Sequence, residues 1–472
     1  MSRLALASPH RLASEAGADA FRAGGTAIDA ALAAAAMLTV VAPQDCALGG
    51  DAFALVARPG GDVTAVNGSG AAAGAVDVAA LRARHREMPV RGTDPITVPG
   101  VVAAWDATAR LGARLPWADL LAPAADAARD GVPVSPVLAR AVAEAGPLLA
   151  DDDGLRSMLA PLRAGGPLRQ PALARTLDAL RAGGPDALYR GEVGARLIAG
   201  LRALGSPLGA DDLAAHATEL TAPLACGYAG VQVLTTPPNS QGRVLLGLLA
   251  APVGGAAVPD PLGPERDALV ARCRAAAAER DRTLGDPRAP RPGGDTVAVV
   301  ALDDDGYAVS LIQSVYWSFG AGVLEPGTGI LLHNRGAAFS LDPSAAGALA
   351  PGARPPHTLM PVLVRDAGAV ASAHGAMGGR AQPWIHLQLL LRLLRGASAA
   401  EAVAAPRWIV GADGRLVIER DAGPAPPDAV VVPPHDDEMG HAQLARRLPD
   451  GDLEAGSDPR ADAGGALVVT RG

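Results

Sequence analysis

The chain has 472 residues, 49% of them hydrophobic and 19% charged, enough to bury a large core. Its formal net charge of −8 includes no basic block and its aromatic content is 3%, which argues against a nucleic-acid groove or a base-stacking platform. Cys46, Cys226 and Cys273 are too few and too far apart for a disulfide framework or a thiolate metal cage.

Met1 to His10 lacks a charged stretch followed by a long apolar one, and the run Ala30 to Val41 is too short and too Ala-rich to span a bilayer. A cytoplasmic protein with no membrane partner is expected. Ser8 to Arg22 has helical periodicity closed by Gly24-Gly25, and Thr26 caps a second, nearly all-apolar helix from Ala27 to about Leu38. Gly49-Gly50-Asp51-Ala52-Phe53 reads as a Gly turn into a strand, and Asn67 to Ala73 as a small-residue loop. Arg86-Glu87-Met88 reads as a solvated helix end, and Thr97 to Val101 as a turn before a helix over Val102 to Leu111. From Trp117 to Leu220 amphipathic helices alternate with Gly/Pro breaks. Tyr228 to Leu234 reads as one strand, Pro237 to Gly242 as a turn, and Arg243 to Leu249 as a helix.

A mixed-charge helix, Ala268 to Arg282, runs into a Pro/Arg-rich stretch, Asp286 to Pro292, of the kind that tolerates chain cutting. Gly293-Gly294-Asp295 follows, and Thr296 heads an apolar strand whose hairpin return is Gly306 to Ser314. By pattern alone Thr296 is an ordinary β-branched first residue of a strand. Beyond it stand His333-Asn334-Arg335-Gly336, Arg354-Pro355-Pro356-His357-Thr358 and Gly375-Ala376-Met377-Gly378-Gly379. A helix from about Trp384 to Leu394, Ala405-Pro406-Arg407-Trp408, a strand over Arg415 to Glu419, Gly456-Ser457-Asp458-Pro459-Arg460 and a last strand, Ala466 to Thr470, complete the chain.

In this order, from about residue 8 to the end, these segments resemble the γ-glutamyltranspeptidase family of N-terminal-nucleophile hydrolases. Residue pattern alone gives only mixed α/β. The resemblance implies a four-layer αββα sandwich made jointly by residues 1–295 and 296–472. It also implies a self-made cut between Asp295 and Thr296, a heterodimer of the two fragments, and a dimer of these as a further assembly. The new N-terminal Thr296 would be the nucleophile. Its freed α-amine, with a pKa of about 7.7–8.0, could take the hydroxyl proton, which an amide nitrogen cannot do. By the same resemblance Ser314 would hydrogen-bond the nucleophile, and Gly378 and Gly379 would offer N–H groups to the oxyanion.

The departures from the family pattern concern the substrate. Ser69 stands where the family's carboxylate-clamping Arg is expected, and Ala338 where an acid holds the substrate amine. Tyr316 replaces an Asn, and His357-Thr358 a Ser pair. A buried γ-glutamyl group would lose both charge partners, at a cost of several kcal/mol. The variants look more like a transpeptidase-like amidohydrolase subgroup, some members of which hydrolyse small amides such as oxamate. Candidate substrate-binding residues are then Tyr316, Asn334, Arg335, His357, Thr358 and Arg380. Arg335 either holds a substrate carboxylate or makes a loop salt bridge. No metal-ligand spacing and no phosphate-cradling loop is seen, so no metal or cofactor is expected. Two alternatives remain: a γ-glutamyl hydrolase, transferase or acylase acting on glutathione-like substrates, and an uncleaved, non-catalytic binding homologue. The start Asp295-Thr296-Val297, which lacks the Thr-Thr-His of many active members, keeps the second one open.

Overall fold

The computed structural model describes residues 2–250, 257–284, 295–461 and 463–471. The Asp286–Pro292 stretch and Gly293-Gly294 lie outside the described residues.

Two antiparallel sheets face each other. The first has seven strands in the order Gly465–Arg471, Ser2–Ser8, Asp295–Asp303, Ala308–Tyr316, Asp51–Ala57, Val63–Asn67 and Glu219–Thr221. The second has six, in the order Leu453–Ser457, Ala442–Arg447, Ala369–Ala376, Val362–Asp366, Val231–Thr235 and Leu224–Tyr228. Both sheets draw strands from either side of Thr296.

Between the sheets lie mainly small side chains, including Ala5, Ala7, Ala57, Ala308, Ala373 and Ala445, with Leu55, Val300 and Leu363. Small residues let the layers approach: a Cβ on Gly375 would come within 2.7 Å of Ala298 Cβ on the facing sheet. Against the outer face of the seven-stranded sheet packs the Ala27–Val41 helix, every residue of which is buried. Thr26 and Asp29 cap it reciprocally. The Gly242–Ala250, Arg266–Thr283 and Gln382–Leu394 helices cover the six-stranded sheet. The result is the expected αββα sandwich.

Local departures from the sequence reading have simple causes. The first helix starts only at Arg11, capped by the His10 ring, because Ser2–Ser8 is claimed by the sheet. The single strand expected over Tyr228 to Leu234 is a hairpin turning at Ala229 and Gly230, both with positive φ.

The Ala-Pro-Arg-Trp and Gly-Ser-Asp-Pro-Arg pieces meet in a buried charge network. Asp458 takes Arg407 at 2.6 Å and Arg460 at 2.9 Å, while Glu419 accepts from Arg460 Nε at 2.8 Å and from the Arg407 N–H at 2.8 Å. Both acids are fully buried and their partners nearly so. Removing one partner of such a network strands a charge in low dielectric, so Asp458→Ala should cost about 3–5 kcal/mol of stability. Denaturant unfolding checks this, and a loss under about 1 kcal/mol, the range of an exposed pair, would contradict it.

Candidate active site

Strand register brings the first groups together. Asp295–Asp303 pairs with Ala308–Tyr316 through Val297 and Gln313, and Ala308–Tyr316 pairs in turn with Asp51–Ala57, setting Ser314 against Asp51. Alternate side chains share a face. Ser310, two pairs below Ser314, donates across the sandwich to the His374 carbonyl at 2.7 Å. Thr296, Ser314 and Asp51 therefore form a polar row facing the second sheet, above an apolar row of Ala298, Ile312 and Phe53. The Thr296 hydroxyl lies 3.1 Å from Ser314 Oγ, and both residues are buried. Ser314 Oγ also accepts the Tyr316 N–H at 2.8 Å. A bulge between Gln313 and Tyr316 sets Tyr316, with φ of 80°, opposite Asp295.

Asp51 is a residue that motif reading passed over. Its Oδ1 accepts the Gly70 N–H at 3.1 Å, and its Oδ2 lies 3.1 Å from His357 Nε2 and 3.5 Å from His333 Nδ1. His357 Nδ1 accepts the Leu359 N–H, which leaves Nε2 as the protonated nitrogen donating to Asp51. Burial pushes the Asp51 pKa up, but His333 and His357 outweigh it and hold the carboxyl below the usual range. Burial, aided by the Arg335 charge and opposed by Asp51, lowers His357 to about 4. The imidazole is thus neutral at pH 7 and donates to Asp51 without adding charge.

Arg335 is 1% exposed and opens a short 3-10 turn, Arg335–Ala338. Its guanidinium carbon stands 3.4 Å from the Tyr316 ring centroid. Nη1 reaches Thr358 Oγ1 at 3.4 Å, while Nε and Nη2 have no partner among the described residues. No loop salt bridge to Arg335 is found among them. Arg380, the other candidate, is already paired with Asp281. Asn334 is committed to the backbone, accepting from the Trp317 N–H at 3.2 Å and donating to the Val90 carbonyl at 2.8 Å. Ser69 serves Asn239, whose Nδ2 donates to it at 3.0 Å, and Ala338 is buried. Arg86 is exposed, just past the Val78–Arg84 helix.

Gly378 and Gly379 follow the Ala369–Ala376 strand with φ of 146° and 49°, values that exclude most side chains. The turn is braced from behind by Gln241, whose Nε2 donates to the carbonyls of Thr358 and Gly379, each at 2.8 Å. Gln241 was invisible as a site residue because its role depends on partners more than a hundred residues away. His333 escaped for a related reason: its Nε2 lies 3.0 Å from the Thr97 carbonyl, a remote partner. Among the described residues no cluster could hold a metal ion, and no helix is long and apolar enough to cross a membrane.

A family model described as Gamma-glutamyltranspeptidase matches residues 13–292 and 265–468. The chain is 36% identical to the oxamate amidohydrolase proenzyme of Klebsiella pneumoniae, with 97% of each covered. It is 35% identical to the glutathione hydrolase-like YwrD proenzyme of Bacillus subtilis, covering 98% of this chain and 97% of that protein. Among solved structures, a cephalosporin acylase from Bacillus halodurans superposes with a TM-score of 0.87 at 32% identity, covering 99% of this chain and 96% of that one.

The buried imidazoles predict a pH dependence. Burial also lowers His374 to about 3. An unfolded His titrates near 6.5, so between about 6.5 and 4 the unfolded chain binds more protons than the folded one. Stability is therefore fully present above about pH 6.5 and falls as pH drops, by up to about 1.4 kcal/mol per pH unit for each such histidine. Urea midpoints at pH 7.5 and pH 5 measure this, and equal midpoints would contradict neutral, buried rings.

Proposed function

Because this chain belongs to the gamma-glutamyltranspeptidase family of amide-bond hydrolases, we propose that it cuts itself before Thr296 and then hydrolyses a small, carboxylate-bearing amide. The observation that carries this reading is the buried Thr296 hydroxyl, 3.1 Å from Ser314 Oγ at the head of its strand. In the continuous chain Thr296 N is an amide and cannot accept a proton. Cleavage of the Asp295–Thr296 bond turns it into an amine that can. Thr296 Oγ1 then adds to the substrate carbonyl as its proton passes to that amine, with Ser314 orienting the hydroxyl. The tetrahedral oxyanion falls to the N–H groups of Gly378 and Gly379, and such a donor typically contributes about 2.7–4 kcal/mol. Collapse breaks the C–N bond, the α-ammonium returns the proton to the leaving nitrogen, and water hydrolyses the Thr296 ester by the same route in reverse.

Arg335 supports an anionic substrate. A buried guanidinium with two nitrogens unpartnered among the described residues favours a carboxylate, which it can take bidentately, and the stack on Tyr316 fixes its plane. No carboxylate pairs with Arg335 among the described residues and Ala338 stands where the family's amine-holding acid is expected, which favours a simple anion such as oxamate over a γ-glutamyl zwitterion. The relative named for oxamate hydrolysis agrees with this choice.

Intact mass of the wild-type protein should give two fragments, one ending at Asp295 and one starting at Thr296, whereas Thr296→Ala should give one chain without amidase activity. A Thr296→Ala protein with full activity would end the proposal. Arg335→Ala should still self-cleave and should lose about 10- to 150-fold in kcat/KM for oxamate, the worth of hydrogen bonds to a charged group. An unchanged value would remove Arg335 from the substrate site.

A further inference from the structure

We infer that Asp51 is a positioning residue for the carboxylate subsite and acts through His357. This rests on the reading that Arg335 receives a substrate carboxylate. Three observations carry it.

First, the main chain fixes Asp51 relative to the nucleophile, because it is the register partner of Ser314, one strand beyond Thr296. Second, its single carboxylate ties together the segments around the site. Oδ1 holds the Gly70 N–H, in the loop where Ser69 stands in place of the family's Arg, and Oδ2 holds His357 while facing His333. His333 lies two residues before Arg335, and its own N–H is bonded to the Gly49 carbonyl at 3.0 Å, beside Asp51. His357 immediately precedes Thr358, whose hydroxyl accepts from Arg335 Nη1 at 3.4 Å. Third, His357 is held in one orientation. Nδ1 accepts from Leu359, Nε2 donates to Asp51, and the ring packs on Phe53 with centroids 4.7 Å apart. The carboxylate thus sets the imidazole, the imidazole sets the Thr358 segment, and that segment meets the guanidinium.

A purely structural Asp51, present only to satisfy Gly70, would be replaced without consequence by Asn, which still offers an oxygen to that N–H. The proposed role would not survive the change. The Asn amide would turn N–H toward the His357 Nε2–H, and relieving that clash by inverting the tautomer would cost the bond from Leu359.

The test compares kcat/KM for oxamate with that for oxamide, its neutral isostere, in self-processed protein. Asp51→Asn should lower the oxamate-to-oxamide ratio about ten-fold, chiefly through KM for oxamate, the size expected when a charged hydrogen bond is misaligned. His357→Gln should do the same, and it carries the test if the Asp51 variant remains uncut. The double variant should be little worse than either single one, because both act on one connection. Equal losses for both substrates, or additive losses in the double variant, would overturn the inference. The underlying reading fails separately: if Arg335→Ala leaves the ratio unchanged, the carboxylate subsite is wrong. If Arg335→Ala collapses the ratio while Asp51→Asn does not lower it, only the role of Asp51 is wrong.

Discussion

The pairing of three antiparallel strands is the constraint on which the site depends. Because the pleat has a period of two, one register decision puts Thr296, Ser314 and Asp51 on the same side and in the same row. A slip of one residue in Ala308–Tyr316 would send Ser314 toward the Ala27–Val41 helix and bring Gln313 into the site. In the observed register Gln313 instead accepts from Trp105 at 2.9 Å and donates to the Ala35 carbonyl at 2.8 Å, deep under that helix. The apolar row of Ala298, Ile312 and Phe53 locks the alignment, since each would lose its burial if the strand moved.

Buried charge is handled in two opposite ways. Around Arg407, Asp458, Arg460 and Glu419, every charge has an opposite partner and backbone contacts besides, so the network closes on itself and holds the C-terminal segments on the second sheet. Around Arg335 the balance is left open. Asp51, a buried acid, is occupied by the His357 imidazole and a backbone N–H and faces His333. Two networks of similar chemistry thus differ in whether each cation has an opposite charge beside it among the described residues.

Much of this was legible in the sequence where chemistry is local. Gly turns, the Thr26 cap, the apolar Ala27 helix and the hairpin around Gly306 are decided within a few residues, and they stand close to where the pattern set them. The Thr296–Ser314 contact was also legible, through a motif spacing that the hairpin converts into proximity. Asp51, His333 and Gln241 were not, because each looks like a turn or segment residue until partners from distant segments arrive. Motif reading was overgenerous to Asn334 and Arg380: a motif names a position but does not say whether the side chain is spent on its own backbone or on an acid such as Asp281. The edges of the hairpin at Ala229-Gly230 were missed because two short strands with a two-residue turn look like one apolar run.

The absence of a counter-ion for Arg335 among the described residues follows from how firmly its neighbours are held. A flexible arginine would lower its free energy by reaching solvent or an acid. Here the Tyr316 ring lies against one face of the guanidinium, and Tyr316 cannot withdraw, because its left-handed backbone is pinned by the N–H bond to Ser314 Oγ and by pairing with Asp295. Thr358 cannot follow the arginine outward, because Gln241 holds its carbonyl. The cost of leaving a desolvated cation without a counter-ion is therefore met by the fold before any substrate arrives. A carboxylate bound as proposed would gain the full hydrogen-bond strength with little ordering left to do. Under the proposed function such a subsite would select by charge, from a 3-10 turn that lies outside the strand row of Thr296, Ser314 and Asp51.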